Sequence, residues 1–263
     1  MSARLRALGQ EAARIAEEGH YTGPDGRVEI ADQVARAVAG TRLHLPGDTL
    51  PEPTPAAGPP VIEVTAESTL WAARRLGTDP ACLNFASARN PGGGFLNGAQ
   101  AQEESLARSS ALYPCLLAAG DFYAHHRAER SLLYTDRIIY APSVPVFRDD
   151  KGRLLPTAYP VSFLVSAAPN RSAIARNQPE SLPEISTTLA RRAARVLAVA
   201  AAHGHRELVL GAWGCGVFGN DPAEVARIFA EALTVSPWFD RVVFAILDRG
   251  GATRQAFERV FRT

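Results

Sequence analysis

From Val61 onwards, short apolar runs alternate with segments of helical periodicity along the sequence. Apolar runs bounded by glycine, proline and small polar residues predict strands, and the longer periodic segments predict helices. The predicted strands are residues 61–64, 82–85, 138–140, 144–147, 161–165, 208–210 and 242–247. The predicted helices are residues 70–76, 102–117, 186–202, 221–233 and 252–261. This alternation predicts an α/β layer sandwich with a mixed central sheet, in which ligands bind beyond the C-terminal ends of the strands.

The sequence before this alternating region has a different character. Apolar residues recur at helical spacing from Leu5 to Ala16, and the turn residues at 23–26 predict a small hairpin. A short helical pattern at 32–39 and an alternating run at 42–45 follow. Six prolines lie between Pro46 and Pro60, which is typical of a linker. We therefore expect an N-terminal accessory segment at 1–45, a linker at 46–60 and a main domain at 61–263.

The charge balance excludes a protein that attracts polyanions through its overall field. The 28 Lys and Arg residues nearly equal the 27 Asp and Glu residues, which leaves a net charge of +1. A phosphate-bearing ligand therefore needs a local site. Arg191, Arg192 and Arg195 form the densest local cluster of arginines in the predicted helices, and we expect them on the exposed face of helix 186–202.

The cysteine content indicates a reducing environment. Cys82, Cys115 and Cys215 are an odd number without metal-ligand spacing, which predicts neither a disulfide framework nor a metal site. The N-terminal region has no continuous apolar core of a signal peptide, and no stretch approaches the length of a membrane span. We expect a cytoplasmic protein that does not contact a membrane.

A first glycine-rich loop follows the strand at 82–85. Asn90 and Pro91 precede three consecutive glycines, Gly92 to Gly94, and the next helix opens with Gln102, Glu103 and Glu104. Glycines without a Cβ let the backbone approach a ligand closely. Carboxylates in the first turn of a helix are also favoured by the helix dipole alone. The glycines and the acidic turn are each common, and only their combination indicates a site.

A second glycine-rich loop follows the strand at 208–210. Gly214, Gly216 and Gly219 match the pattern G-x-G-x-x-G, and Asp221 and Glu224 predict a capping box at the start of the next helix. The pattern is typical of dinucleotide-binding folds, but too few residues follow it for the second half of such a fold. Backbone N–H groups at a helix start also hold a pyrophosphate in other folds.

Together, the three glycines and the Gln-Glu-Glu sequence seven residues later resemble the signature of poly(ADP-ribose) glycohydrolases. The flanking residues 84–87 and 105–110 resemble the smaller, bacterial-type members. The resemblance implies a three-layer, macrodomain-like catalytic domain at 61–263 with a small N-terminal helical and hairpin extension. It also implies recognition of ADP-ribose and hydrolysis of the ribose–ribose glycosidic bond without a cofactor or metal.

The resemblance assigns roles to particular residues. Glu104 is expected to protonate the leaving oxygen and then to activate water, and Glu103 to orient the scissile ribose. Neighbouring helix positions point about 100° apart, so the two carboxyl groups need different roles. The resemblance also implies that Phe218 packs near the distal ribose. The expected ligand-binding residues are Gln102, Asn90, Gly92, Gly93, Gly94, Gly214, Cys215, Gly216, Val217, Phe218 and Gly219.

The small size of the N-terminal segment implies, by the same resemblance, that the terminal ADP-ribose unit is removed in preference to internal cleavage. The expected partners are poly(ADP-ribose), free ADP-ribose and ADP-ribosylated proteins, and the expected state is a monomer. Two alternatives remain open. A reader of ADP-ribose would keep both loops without catalysis, although it has no need of two carboxylates beside a diphosphate. An NAD-dependent oxidoreductase would use the second loop for its dinucleotide.

Overall fold

The computed structural model describes residues 2–262, and within them seven strands form one mixed sheet. A separate hairpin consists of β1 (His20–Gly23) and β2 (Gly26–Glu29). The strands of the main sheet are β3 (Arg42–His44), β4 (Val61–Thr65), β5 (Ala81–Phe85), β6 (Ile138–Arg148), β7 (Leu154–Ser166), β8 (Glu207–Leu210) and β9 (Arg241–Ala245). Their spatial order is β3-β6-β7-β5-β8-β9-β4. The pairs β3–β6 and β6–β7 are antiparallel, and all other neighbours are parallel.

Helices cover both faces of this sheet. On one face lie α1 (Ala3–Glu18), α2 (Ala31–Gly40), α3 (Thr69–Leu76), α4 (Gln102–Ser109), α5 (Leu112–Ala118) and α6 (Gly120–Ala128). On the other lie α7 (Arg171–Asn177), α8 (Ile185–Ala202), α9 (Pro222–Thr234) and α10 (Ala252–Phe261). Successive strand residues point to opposite faces, so Cys82 packs against the first group and Leu83 against the second. Because both faces are buried, the central strands are apolar runs rather than alternating ones.

The predicted α/β layer sandwich is confirmed, but the predicted helix at 102–117 is wrong because it is two helices. Ser110 has extended backbone and forms a bridge with Val146 of β6, which separates α4 from α5. Pro114 lies in the first turn of α5, where its missing N–H costs no intrahelical hydrogen bond. The break ends α4 less than two turns after the acidic residues, and Ser110 then brings the chain onto β6.

Two predictions about charged side chains are also wrong. Asp221 caps α9 by accepting from the Ala223 N–H, as expected, but the Glu224 carboxylate is bound by Arg171 and does not complete a capping box. Arg192 is not on an exposed face: it is 0% exposed and forms an ion pair with Asp136. A helix that packs across a sheet buries a wide stripe, and Arg192 falls within it.

The N-terminal residues contribute one strand, β3, to the main sheet. Helix α1 ends at Gly19, which adopts a left-handed conformation, and the predicted hairpin and second helix follow. Strand β3 then pairs with β6 and forms one edge of the sheet. The division into an accessory segment, a linker and a main domain stays a prediction. Within residues 2–262, no helix has the length and apolar character needed to span a bilayer.

Candidate active site

A cavity of about 620 Å³ opens at the C-terminal edge of the sheet, beyond the ends of β5, β8 and β9. Phe85, Ala245 and Gln102 line it together with the second glycine-rich loop. The first turn of α4 and the second loop therefore meet at one cavity, although more than 100 positions separate them in the sequence. This is the edge at which open α/β sheets bind ligands.

The first glycine-rich loop lies directly against the two carboxyl groups. The Gly94 N–H donates to Glu104 Oε1 over 3.0 Å. Gly93 has φ +60°, and a Cβ at this position would lie 2.3 Å from Glu104 Oε1 and 3.2 Å from Glu103 Oε2. Only glycine leaves room for both carboxyl groups here. The loop thus orients Glu104, which stays half-buried and whose Oε2 makes no hydrogen bond within residues 2–262.

Gln102 attaches α4 to the end of β5. Its Oε1 accepts from the Phe85 N–H over 2.9 Å, and its Nε2 donates to the Leu83 carbonyl over 2.8 Å and to Thr69 Oγ1 over 3.1 Å. The side-chain amide is therefore largely used within the protein. Gln102 lies in the cavity wall, where it can contact a ligand. Its hydrogen bonds hold the acidic turn of α4 at the end of β5.

Glu103 is enclosed, with only 3% of its surface exposed. Its Oε2 accepts from the Ser87 N–H over 2.7 Å, and its Oε1 accepts from Asn84 Nδ2 over 3.4 Å. Burial raises the pKa of Glu103 to about 8, and the neighbouring Glu104 adds to this rise. Glu103 is therefore a neutral acid at pH 7, so the pair carries less negative charge than its sequence indicates.

We expect the variant Glu103→Gln to change how stability depends on pH. The unfolded chain releases this proton near pH 4.5, whereas the folded protein keeps it to about pH 8. Wild-type stability should therefore decline as pH rises through that window, and the variant should lack this component. The unfolding free energy of the variant minus that of the wild type should therefore rise by about 1 kcal/mol for each pH unit in this window. Urea unfolding at pH 5, 6, 7 and 8 measures it, and parallel curves would contradict it.

The second loop presents unpaired backbone donors. The N–H groups of Gly216, Val217 and Phe218 donate to no acceptor within residues 2–262. Gly214 has φ +72°, and a Cβ there would lie 2.6 Å from the Ala168 Cβ, so the loop needs glycine at this turn. Free N–H groups just before the start of α9 are suited to bind an anion.

The side chains of this loop differ in their surroundings. Phe218 is half-buried and lines the cavity, and its ring centroid lies 6.5 Å from that of Tyr134. Val217 also lines the cavity and is 89% exposed. Burial, with smaller contributions from Asp221 and Glu224, raises the pKa of the Cys215 thiol to about 12. Cys215 is thus an uncharged wall residue and a poor nucleophile.

The cavity lining includes six of the residues expected from the sequence: Gln102, Gly214, Cys215, Gly216, Val217 and Phe218. The other seven are not part of the lining: Asn90, Gly92, Gly93, Gly94, Glu103, Glu104 and Gly219. The side chain of Asn90 is exposed, while its carbonyl accepts from the Gly93 N–H and so closes the turn.

Sequence reasoning missed several residues at the site. Ser87 holds Glu103 only through its backbone N–H, which no side-chain pattern reveals. Also in the cavity wall, Ser68 at the start of α3 donates to Asp150 at the tip of the β6–β7 hairpin over 2.6 Å. Leu247 and Arg249 line the cavity beyond β9. Leu247 ends the predicted strand 242–247 and Arg249 follows it closely, which was the one available signal.

One glycine-rich loop lines the cavity with free backbone donors at a helix start, and the other contacts the acidic turn that opens α4. This arrangement is suited to hold a phosphorylated sugar. The family model for the microbial-type PARG catalytic domain matches residues 9–149. The chain therefore belongs to the microbial-type poly(ADP-ribose) glycohydrolase (PARG) family. Its mixed α/β fold is macrodomain-like, as in the solved structures of that family.

Three solved structures illustrate the similarity. The poly(ADP-ribose) glycohydrolase of Thermomonospora curvata is 52% identical, with a TM-score of 0.93 over 99% of this chain and 100% of that one. The same enzyme bound to the inhibitor ADP-HPD gives 52% identity and a TM-score of 0.90 over the same shares. The Deinococcus radiodurans enzyme in complex with ADP-ribose gives 47% identity and a TM-score of 0.80 over 87% of this chain and 96% of that one. A search of curated protein sequences found no significant match.

Proposed function

We propose that the protein is a poly(ADP-ribose) glycohydrolase that cleaves ribose–ribose bonds and releases ADP-ribose. The observation that carries this proposal is the position of Glu104 against the first glycine-rich loop, on the helix whose first turn lines the cavity with the second loop. The relatives solved with ADP-HPD and with ADP-ribose support the choice of ligand. Family membership and geometry thus favour the same reaction.

In this proposal, Glu104 supplies the proton that the leaving ribose oxygen needs. Its Oε1 is fixed by the Gly94 N–H and its Oε2 has no protein partner within residues 2–262, which leaves that oxygen available to the substrate. Once ionised, the same carboxylate can take a proton from water as the water attacks the oxocarbenium-like sugar. Glu103, neutral and enclosed, orients the scissile ribose beside it.

The diphosphate of the substrate is proposed to bind the second loop. The free N–H groups of Gly216, Val217 and Phe218 can surround its oxygens, and the start of α9 adds a favourable dipole. No net positive field is required for such a site. The exposed Asn90 amide lies beside the first loop and is proposed to bind the distal ribose.

Incubation with poly(ADP-ribose), followed by chromatographic separation of products, tests the function. Release of ADP-ribose is expected, and binding without release would instead identify a reader. A reaction that requires NAD and changes nicotinamide absorbance would identify an oxidoreductase. The same assay in EDTA tests our proposal that no metal takes part, since a carboxyl group suffices as acid and base.

We also propose that the terminal unit is removed in preference to internal cleavage. The Ser68–Asp150 hydrogen bond joins the start of α3 to the β6–β7 hairpin in the cavity wall, and in this proposal that link restricts a polymer that would continue past it. The chromatogram should then show mainly monomeric ADP-ribose at early times. Early accumulation of oligomers would overturn this preference.

Phe218→Ala should lower kcat/KM by about 10- to 100-fold, because the ring lines the cavity and is proposed to hold the reacting ribose. Phe261→Ala is the matched control, since Phe261 is also half-buried but packs on Phe244 outside the cavity wall. Steady-state kinetics of both variants make the comparison. Equal losses in the two would assign Phe218 a packing role only.

The three cysteines bear on the cellular location that we propose for the protein. Cys82, Cys115 and Cys215 are all free thiols, in keeping with a reducing cytoplasm. We propose a monomer that acts on poly(ADP-ribose) attached to proteins. Gel filtration with light scattering tests the oligomeric state.

A further inference from the structure

Helix α1 packs directly on the first glycine-rich loop. Gly9 is buried on the face of α1 that meets the turn at 95–97, and a Cβ at Gly9 would lie 2.4 Å from the Phe95 carbonyl oxygen. A separation below 3 Å to a backbone atom cannot be relieved by moving a flexible side chain. Glycine in the middle of a helix costs about 1 kcal/mol relative to alanine. Its presence here therefore indicates that the close approach matters.

A second close approach lies at the start of the same helix. Gly98 has φ +80°, and a Cβ there would lie 2.4 Å from the Ser2 carbonyl oxygen. The Ser2 N–H also donates to the Gly98 carbonyl over 3.3 Å. The first two turns of α1 thus touch the loop at both ends of the turn formed by Phe95, Leu96 and Asn97.

This turn connects to Glu104 through Gly94. The Asn97 and Ala99 N–H groups both donate to the Gly94 carbonyl, over 3.0 and 3.1 Å. The Gly94 N–H in turn donates to Glu104 Oε1. A shift of the turn at 95–97 therefore moves the peptide that orients the Glu104 carboxyl group.

A buried arginine, Arg148, joins α1 to α4 through its hydrogen bonds. Arg148 of β6 has a side chain with no exposed surface, and it binds the Glu11 carboxylate and the Leu8 carbonyl of α1. It also donates to the Arg108 carbonyl of α4. Arg108 itself donates to the Ala99 carbonyl over 2.6 Å, at the end of the loop. The helix, the loop and α4 thus form one hydrogen-bonded unit.

We propose that α1 is a positioning element of the active site, in which Gly9 lets the helix press on the Phe95 carbonyl and so hold Gly94 and Glu104 in the geometry needed for proton transfer. The inference rests on the proposed glycohydrolase function. Gly9 is a positioning residue, because it acts through the loop and touches no reacting atom.

Gly9→Ala tests the proposal, with Gly120→Ala as the matched control. Gly120 begins α6, and a Cβ there meets no atom within 4 Å. A displacement of about 1 Å in a catalytic group can cost about 100-fold in rate. We expect kcat to fall about 10- to 100-fold in Gly9→Ala, with KM within about threefold, and to stay within about twofold in Gly120→Ala.

Two further measurements separate positioning from a general loss of structure. In a Glu104→Gln background, Gly9→Ala should lower the residual rate no further, because its effect passes through Glu104. The Gly94 amide should exchange hydrogen at least about tenfold faster in Gly9→Ala than in wild type. If Gly9→Ala does not fold, Glu11→Gln weakens the Arg148 link more mildly and should lower kcat several-fold.

An equal kcat in Gly9→Ala and Gly120→Ala would overturn the proposal, as would an undiminished effect of Gly9→Ala in the Glu104→Gln background. An inactive wild-type protein would overturn the proposed function instead. In that case, unchanged exchange at Gly94 in Gly9→Ala would still refute the coupling of α1 to Gly94 through the loop.

Discussion

Replacement of Glu104 by glutamine is expected to lower kcat on poly(ADP-ribose) by about a thousandfold, or about 4 kcal/mol in activation free energy. Glutamine has nearly the same shape and can still accept from the Gly94 N–H, so the loop should keep its position. It cannot give a proton to the leaving oxygen or take one from water. Loss of a general acid–base group typically costs about a hundred- to ten-thousandfold.

Binding should survive this change. ADP-ribose affinity of Glu104→Gln, measured by calorimetry, is expected to stay within about tenfold of wild type, because the acid acts mainly in the transition state. Glu180→Gln, an exposed glutamate outside the cavity lining, is the matched control and should match wild-type turnover. Near-wild-type turnover in Glu104→Gln would remove Glu104 from the mechanism.

Asp136→Ala is expected to destabilise the fold by about 3–5 kcal/mol. Asp136 is the ion-pair partner of Arg192, which is 0% exposed and also donates to the Leu133 and Ala167 carbonyls. Burial lowers the pKa of Arg192 to about 10 despite this partner, so the guanidinium remains charged at neutral pH. The variant would leave that charge buried without a carboxylate.

Chemical unfolding monitored by circular dichroism measures the loss. Asp240→Ala is the matched control, because Asp240 is exposed and its partner Arg206 is partly exposed, and surface pairs contribute about 0–1 kcal/mol. In addition, Asp136→Ala combined with Arg192→Met should be less destabilised than Asp136→Ala alone, since no charge then stays buried. A double variant as unstable as the single one would show that packing, rather than the uncompensated charge, dominates.

The sequence predicted most of the fold because its signals are local. The central strands are apolar runs between turn residues, and the start of α9 at Asp221 and Pro222 follows capping chemistry. The error at 102–117 has a non-local cause, since the break at Ser110 depends on its bridge to Val146. Arg192 was misplaced for a similar reason: its partner Asp136 lies on a separate loop.

The expected site residues came from the two glycine-rich loops, the acidic helix start and the family resemblance, whereas the different environments of the two glutamates could be seen only in the folded structure. The sequence does not indicate which of two adjacent glutamates is buried in the folded protein. The difference arises because Glu103 points under the loop toward Ser87, while Glu104 points at Gly94. Likewise, the packing of α1 on Phe95 follows from the path of the chain and from no motif.

The pairing of β4 with β9 affects the order in which the sheet can form. Strand β4 lies at the outer edge of the sheet and pairs only with β9 among the described strands, so Val61 pairs with Arg241, which is distant from it in the sequence. Contacts between such distant segments form slowly and leave apolar surface open to association in the meantime. During synthesis on the ribosome, β4 therefore stays without this partner until residues 241–245 have emerged, and we expect chaperones to bind the incomplete sheet in that interval.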